Sequence, residues 1–259
     1  MKAGRATSAF AILRRDKPCA PKFAFGRAAG SHHRAAKAEG LPDLQIDPYF
    51  LRVHPWLFYL FRFLKMQSDI QEAKALLRKQ ICGALKKIPA AARTALSAQI
   101  RNRVKEQAIW KNAGSVLFFA PQPDELDLWP LLEEALAAGK IAALPRYHPA
   151  GKNYVACRVQ NLRGEIAPGE FGIREPAARC PEIPLSSLDL ILVPGVAFDW
   201  HGRRLGRGKG FYDRLLAGTR GVKCGIAFDE QMVNDVPVGP SDVGLDFILT
   251  PARGAEITG

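Results

Sequence analysis

Four glycines (Gly202, Gly206, Gly208, Gly210) alternate with four cations (Arg203, Arg204, Arg207, Lys209) in one short stretch of this 259-residue chain. Glycines let backbone N–H groups come close to a ligand, and cations on the same loop attract its negative charge. Such a loop offers a cradle for a polyanion, phosphate above all. It is not a Walker A loop: that motif needs Ser or Thr after its Lys, yet Gly210 follows Lys209, and Arg203 stands where its first glycine would fall. Nor is it the dinucleotide fingerprint, since Gly206, Gly208 and Gly210 have the wrong third spacing and too many cations accompany them. A flexible, solvated basic loop is the plainer alternative. Against it, Phe211, Tyr212 and Asp213 follow directly, and a merely solvated loop has no reason to end in two aromatics and a carboxylate.

The flanking elements would position the loop. Leu188 to Val193, interrupted only by Asp189, is short enough for a buried strand, and Pro194-Gly195 ends it. From Phe211 the pattern turns helical, with Leu215 and Leu216 on one face and Gly218 as the C-terminal glycine. A helix N-terminus behind the loop adds partial positive charge.

Upstream, Ser68 or Asp69 is placed to cap a helix to about Ile88, with Ile70, Ala73, Leu77, Ile81 and Leu85 as its apolar stripe. Lys74 and Arg78 share another face, which by default is solvated. Pro89 breaks the chain before a second helix marked by Leu96, Ile100, Val104 and Ala108. Ser115 to Phe119 reads as a core strand, Leu126 to Ala138 as a helix ended by Gly139, and Lys140 to Leu144 as the next strand. That order implies a right-handed crossover and a parallel pair. Glu125 precedes the helix, where its charge suits the dipole. Pro149 to Asn153 signals a turn, with Tyr154 to Val159 as the return strand. Glu170 to Pro176 reads as a rigid surface turn, Val222 to Phe228 as a strand, and Leu245 to Leu249 closes the sheet. Asp213 and Asp242, taken alone, are a helix-cap residue or salt-bridge partners.

A net charge of +12 suggests nucleic acid, a membrane surface or anionic small molecules as partners. The excess is local: nine Lys and Arg against two acids lie in residues 1–40, and the central loop carries much of the rest. That first segment is expected to be disordered and has the basic, acid-poor composition of an organelle transit peptide. Residues 49–64 hold seven aromatics, interrupted by Arg52, His54, Pro55 and Arg62; a helix docked on the domain or lying at an interface are the two readings. Met66 begins what looks like the start of a compact enzyme, so residues 1–65 form an extension and 66–259 the main domain. Five scattered cysteines without a C-x-x-C argue against a zinc knuckle or a disulfide scaffold. No apolar run reaches the roughly 18 residues of a membrane span.

The stretch P-G-V-A-F-D-x-x-G-x-R-L-G-R-G-K-G-F-Y-D, from Pro194 to Asp213, resembles the signature of the 5-formyltetrahydrofolate cyclo-ligases, or methenyltetrahydrofolate synthetases. A-K-x-x-L-R around Lys74 and Arg78 and the Glu170 to Pro176 loop are similar to further family segments, the resemblance placing that loop near the ligand cleft, and the likeness covers about Asp69 to Pro251. It implies a single three-layer αβα domain with a mostly parallel, Rossmann-like sheet. It also implies ATP-dependent cyclisation of 5-formyltetrahydrofolate to 5,10-methenyltetrahydrofolate, with Mg²⁺ as cofactor.

By the same resemblance Lys209 and Arg207 act on the transferring phosphate, while Lys74, Arg78, Arg204, Leu205, Gly206, Gly208, Gly210 and Tyr212 complete the ATP site. Glu125, Phe119, Arg207 and Phe211 meet the folate, and Asp213 and Asp242 hold the metal. Many relatives carry Tyr where this chain has Phe211, which keeps the aromatic face and loses a hydroxyl. The expected partners are reduced folate and ATP, with no nucleic acid, for a monomer in the cytoplasm, or in mitochondria if the basic leader is a transit peptide. A non-catalytic RNA-binding paralogue of the same fold is the alternative.

Overall fold

Pro55 opens the first helix. The structure, a computed structural model, describes residues 55–257, and α1 runs unbroken from Pro55 to Leu85. The expected cap at Ser68 or Asp69 is therefore not used. Proline is tolerated in a helix's first turn, and Leu60, Arg62, Leu64 and Lys65 are good helix formers, so nothing stops the helix before Ser68. No backbone break marks the boundary expected at residue 66. Phe61, Phe63, Leu64 and Met66 are exposed, so this turn is not packed into the core as a docked helix would be. The leader reading of residues 1–40 lies outside the described residues.

The expected second helix is two, α2 (Ala90–Glu106) and α3 (Ala108–Asn112), divided by the extended backbone of Gln107. There follow β1 (Ser115–Leu117), α4 (Trp129–Ala137), β2 (Ile141–His148) and β3 (Asn153–Val159). Helix α4 starts later than Leu126: Pro130 sits in its first turn, and the Asp127 carboxylate accepts the Trp129 N–H at 3.0 Å. A one-turn helix α5 (Leu162–Glu165) leads to the small ladder of β4 (Ile166–Pro168) with β5 (Arg174–Pro176), then to β6 (Glu182–Ile183). After β7 (Leu190–Val193) come the hairpin of β8 (Ala197–Phe198) and β9 (Arg204–Leu205), then α6 (Phe211–Ala217) and β10 (Val222–Ile226). The chain ends with β11 (Phe247–Leu249) and β12 (Gly254–Glu256). The sheet is thus closed by β12, antiparallel to β11, and not by the 245–249 strand.

The main sheet has the order β12-β11-β10-β7-β1-β2-β3-β6. Its centre, β11 to β2, is parallel, with β3, β6 and β12 antiparallel at the edges. Numbered among themselves, the parallel strands run 2-1-3-4-5, the doubly wound order whose switch point lies between the first and third, here β1 and β7. Alternation along the strands feeds two cores. Val116, Ala142, Leu190, Leu192 and Cys224 pack with Ile81 of α1, Ile100 of α2 and Leu131 of α4. Leu117, Ala143, Ile191, Val193 and Ile248 pack with Leu215 and Leu216 of α6 on the other face. Burial on both faces is why Leu190 to Val193 reads as a continuous apolar run. The arrangement is the three-layer α/β fold.

Asp189, the polar interruption before β7, ties the two switch-point strands together at their start. Its Oδ2 accepts the Gly114 N–H (2.9 Å), the Ser115 N–H (2.8 Å) and the Ser115 hydroxyl (2.8 Å). The hydroxyl bond foremost, with the amides, holds its carboxyl below the ordinary aspartate range. A depressed carboxylate contributes stability above its unfolded value, lost as the pH falls through the folded one. Asp189→Asn is therefore expected to lower the urea midpoint at neutral pH, with the gap to wild type closing below about pH 4.

Candidate active site

The carboxyl ends of β1 and β7 diverge at the switch point, and a cleft of about 740 Å³ opens there. Its walls come from α1 (Lys74, Arg78), the segment after β1 (Phe119, Gln122, Glu125), β3 (Tyr154), the 169–173 loop (Phe171, Ile173), the cationic loop into α6, and Asp242. Every site residue expected from sequence borders this one cavity, so the fold gathers residues from positions 74 to 242 into a single place.

Local geometry follows from the glycines. Gly208 (φ +98°) and Gly210 (φ +63°) hold the left-handed conformations that turn the chain twice in three residues and start α6 immediately afterwards. This leaves Arg207 and Lys209 exposed while Arg204 and Leu205, on β9, are buried.

One end of the cleft is charged, and its cations are already partnered. Arg204, its side chain 2% exposed, donates to Asp213 Oδ1 at 2.6 Å. Lys74, also buried, is 2.5 Å from Asp242 Oδ2, which accepts the Gly239 N–H as well. Arg78 Nε donates to the Gly206 carbonyl at 2.8 Å. Lys74 and Arg78 thus lie on the packed face of α1 with Ile81 and Leu85, whereas Ala73, expected in the apolar stripe, is exposed. The face expected to be solvated is the one that meets the domain, because the cleft supplies carboxylate and carbonyl partners that let cations be buried. Asp213 and Asp242, the expected metal ligands, are salt-bridge partners here.

Arg207 bridges the middle, donating to Asp124 (2.9 Å) and Glu125 (3.0 Å). Burial pushes the Glu125 carboxyl up, opposed by the Gln122 N–H and the Arg207 charge. A carboxyl raised in the folded state contributes stability that is lost as pH rises through that folded value. Arg207→Ala removes the opposing charge and enlarges this loss. The variant is expected to match wild type near pH 4 and to fall behind by on the order of 1 kcal/mol at pH 7, limited by the half-exposed guanidinium; melting curves across that range test it.

The other end is aromatic. Tyr147, Tyr154, Phe171 and Phe211 form a cluster with centroids 5.0–5.6 Å apart. Burial, with Glu175 beside it, pushes the Tyr154 hydroxyl up to about 12, so it stays a neutral donor. Lys209 links the two ends: its backbone belongs to the cationic loop and its ammonium lies 3.7 Å from the Phe171 ring centroid. The 170–176 segment is accordingly more than a surface turn, since Phe171 and Ile173 line the cleft and buried Glu175 accepts the Tyr147 N–H at 3.0 Å.

Sequence reasoning missed Tyr147, Tyr154, Phe171 and Asp124. The two tyrosines carried a usable signal, for they flank the 149–152 turn symmetrically and pair directly across the hairpin. Phe171 had only the family likeness of its loop to point to the cleft, because a loop has no periodicity.

A doubly wound α/β sheet with a cationic glycine loop at its switch point is the kind of scaffold whose crevice suits phosphate-bearing ligands. A sequence model of the 5-formyltetrahydrofolate cyclo-ligase family matches residues 70–251. The chain belongs to that family. It is 37% identical over 145 residues to the 5-formyltetrahydrofolate cyclo-ligase of Escherichia coli strain K12, covering 54% of this chain and 80% of that one. It is 31% identical over 189 residues to the enzyme of the same name from Mycolicibacterium smegmatis, covering 70% and 95%. Among solved structures, the 5,10-methenyltetrahydrofolate synthetase of Aquifex aeolicus superposes with a TM-score of 0.66 at 32% identity, over 72% of this chain and 93% of that one.

Proposed function

We propose that the cleft converts ATP and 5-formyltetrahydrofolate into 5,10-methenyltetrahydrofolate, ADP and phosphate, with the triphosphate at its charged end and the folate ring at its aromatic end. The observation that carries this reading is the single cavity in which a cationic glycine loop faces a four-ring aromatic cluster. A flat pterin can stack on the open side of such a ring cluster, where Phe171 is exposed, and a triphosphate suits amides and guanidinium groups.

The chemistry runs in two steps. The formyl oxygen attacks the γ-phosphorus, forming a P–O bond as the bond to ADP breaks, and the formyl group becomes an N5-iminium phosphate. N10 then attacks the formyl carbon, the C–O bond breaks, phosphate leaves and N10 gives up its proton. Phosphoryl transfer asks mainly for positioning and charge stabilisation. Lys209 and Arg207 hold the transferring group; Arg204, Lys74 and Arg78 hold the rest of the triphosphate; the amides of residues 206–210 meet its oxygens. The ion pairs of the free enzyme must exchange partners: as Arg207 turns to phosphate, Glu125 is released to accept N–H groups of the pterin, beside Phe119 and Phe211.

The donor set fits Mg²⁺. Asp213 spends Oδ1 on Arg204 and Asp242 spends Oδ2 on Lys74, leaving one carboxylate oxygen on each, and Mg²⁺ commonly takes one or two carboxylates with phosphate oxygens and water. Bound there with the nucleotide, it would neutralise phosphate charge. The test is direct: enzyme, Mg-ATP and 5-formyltetrahydrofolate are mixed and the methenyl-folate absorbance is followed. Growth of that band only when all three are present supports the reading, and a flat trace from folded protein refutes it.

A further inference from the structure

Asp199 lies outside the cleft, yet it ties together the two segments that carry the cleft's acid–cation pairs. We infer that Asp199 is a positioning residue for the nucleotide end of the site, acting through Arg204 on one side and Asp242 on the other. The inference rests on the assignment of ATP to that end.

Asp199 follows β8 and is fully buried, which a carboxylate tolerates only when its oxygens are occupied. Oδ1 accepts the N–H groups of His201 (2.9 Å) and Arg203 (3.2 Å), which shapes the turn between β8 and β9. Oδ2 accepts the Val236 N–H at 2.8 Å and lies 2.7 Å from Arg203 Nε in an ion pair. Arg203 reaches on to Asp235 at 2.6 Å. One carboxylate therefore clamps the 198–205 hairpin to the segment beginning at Val236.

Both clamped segments run straight into the site. On the hairpin, Arg204 is the next residue after Arg203 and points to Asp213. On the other segment, Val236 is followed by Pro237, Val238, Gly239, Pro240, Ser241 and Asp242. Two prolines fix two φ angles in that connection, so it acts as a short strut. Where the Val236 amide is held, Asp242 is set, and the Gly239 N–H fastens its carboxylate against Lys74. The separation of the Arg204–Asp213 and Lys74–Asp242 pairs is thus governed by a group that touches neither.

Three of the four rings at the aromatic end, Tyr147, Tyr154 and Phe171, belong to other segments, and the fourth, Phe211, is fixed by α6 and by its packing on those three. A loss at Asp199 should therefore fall on one substrate. In Asp199→Asn the amide nitrogen cannot accept, so either the Val236 N–H and Arg203 or the turn amides lose their acceptor. The expected result is a KM for Mg-ATP raised about tenfold or more, with the KM for 5-formyltetrahydrofolate within about twofold of wild type. Pro237→Ala with Pro240→Ala loosens the strut and leaves the core untouched, and is expected to raise the Mg-ATP KM severalfold with the same selectivity. If Asp199→Asn fails to fold, the double-proline variant decides. Folded variants with an unchanged Mg-ATP KM, or with both KM values raised equally, overturn the inference. The underlying assignment is checked separately: if Arg204→Leu binds ATP as wild type does, the nucleotide is not at this end. If Arg204→Leu loses ATP while the Asp199 and proline variants keep it, only the positioning role fails.

Discussion

Lys209→Ala is expected to lower kcat by about two orders of magnitude, equivalent to roughly 3 kcal/mol of lost transition-state stabilisation, while the protein stays folded. The two halves of this expectation have different origins. Lys209 is exposed on the glycine loop, and its only described contacts are with the Phe171 and Phe211 rings; a cation over exposed rings is worth about 0.5–1 kcal/mol, a small share of the stability of a domain this size. In the proposed reaction the same ammonium would face a phosphoryl group as negative charge moves from the attacking formyl oxygen toward the leaving oxygen of ADP, and a charge missing there costs far more than one missing from a surface contact. Turnover and melting curves read the two effects apart. A variant that cyclises at a near-normal rate removes Lys209 from the mechanism.

Arg204→Leu should fail in both respects. The guanidinium is buried and its partner Asp213 is only partly exposed, so deletion leaves a carboxylate desolvated without its cation. Breaking such a pair costs about 3 kcal/mol, toward the lower end because water still reaches Asp213. For a domain of this length that corresponds to roughly 6–12 °C in melting temperature. Leucine fills much of the vacated volume, so the loss reports on charge more than on a cavity. The variant is also expected to lose ATP affinity by a factor on the order of 100, since a charge-assisted contact to phosphate disappears with it. Comparison with Asp213→Asn separates the contributions: if the pair is the source of the instability, removing the acid's charge from the double variant should restore part of the melting temperature.

The cationic loop was legible in the chain because its chemistry is local. Residues 202–213 carry their own turns, charges and helix start, and the structure places them as the spacing implies. The parallel pairing of β1 with β2 was legible too, since a strand, helix and strand in succession imply a right-handed crossover, whereas the place of β7 beside β1 was not. Other features depended on partners distant in sequence. Lys74 and Arg78 are paired with Asp242 and the Gly206 carbonyl, and no helical pattern distinguishes a cation facing such partners from one facing water. The ion pairs of Arg207 with Asp124 and Glu125 join positions about eighty residues apart. The helix boundary at Ser68 was misplaced because a capping residue ends a helix only where the preceding chain does not favour continuing it. Gly254 to Glu256 offered too short a run to mark a strand, and its pairing is set by β11.

The proposed reaction requires the cations and amides around residues 204–210 to grip a triphosphate in this cleft. Calorimetric titration of Mg-ATP into folded wild-type protein and into folded Arg204→Leu tests it most directly. The wild type is expected to show one saturable site, and the variant a site weaker by a factor on the order of 100. Absence of binding heat in the wild type, or equal affinity in the two, would contradict it.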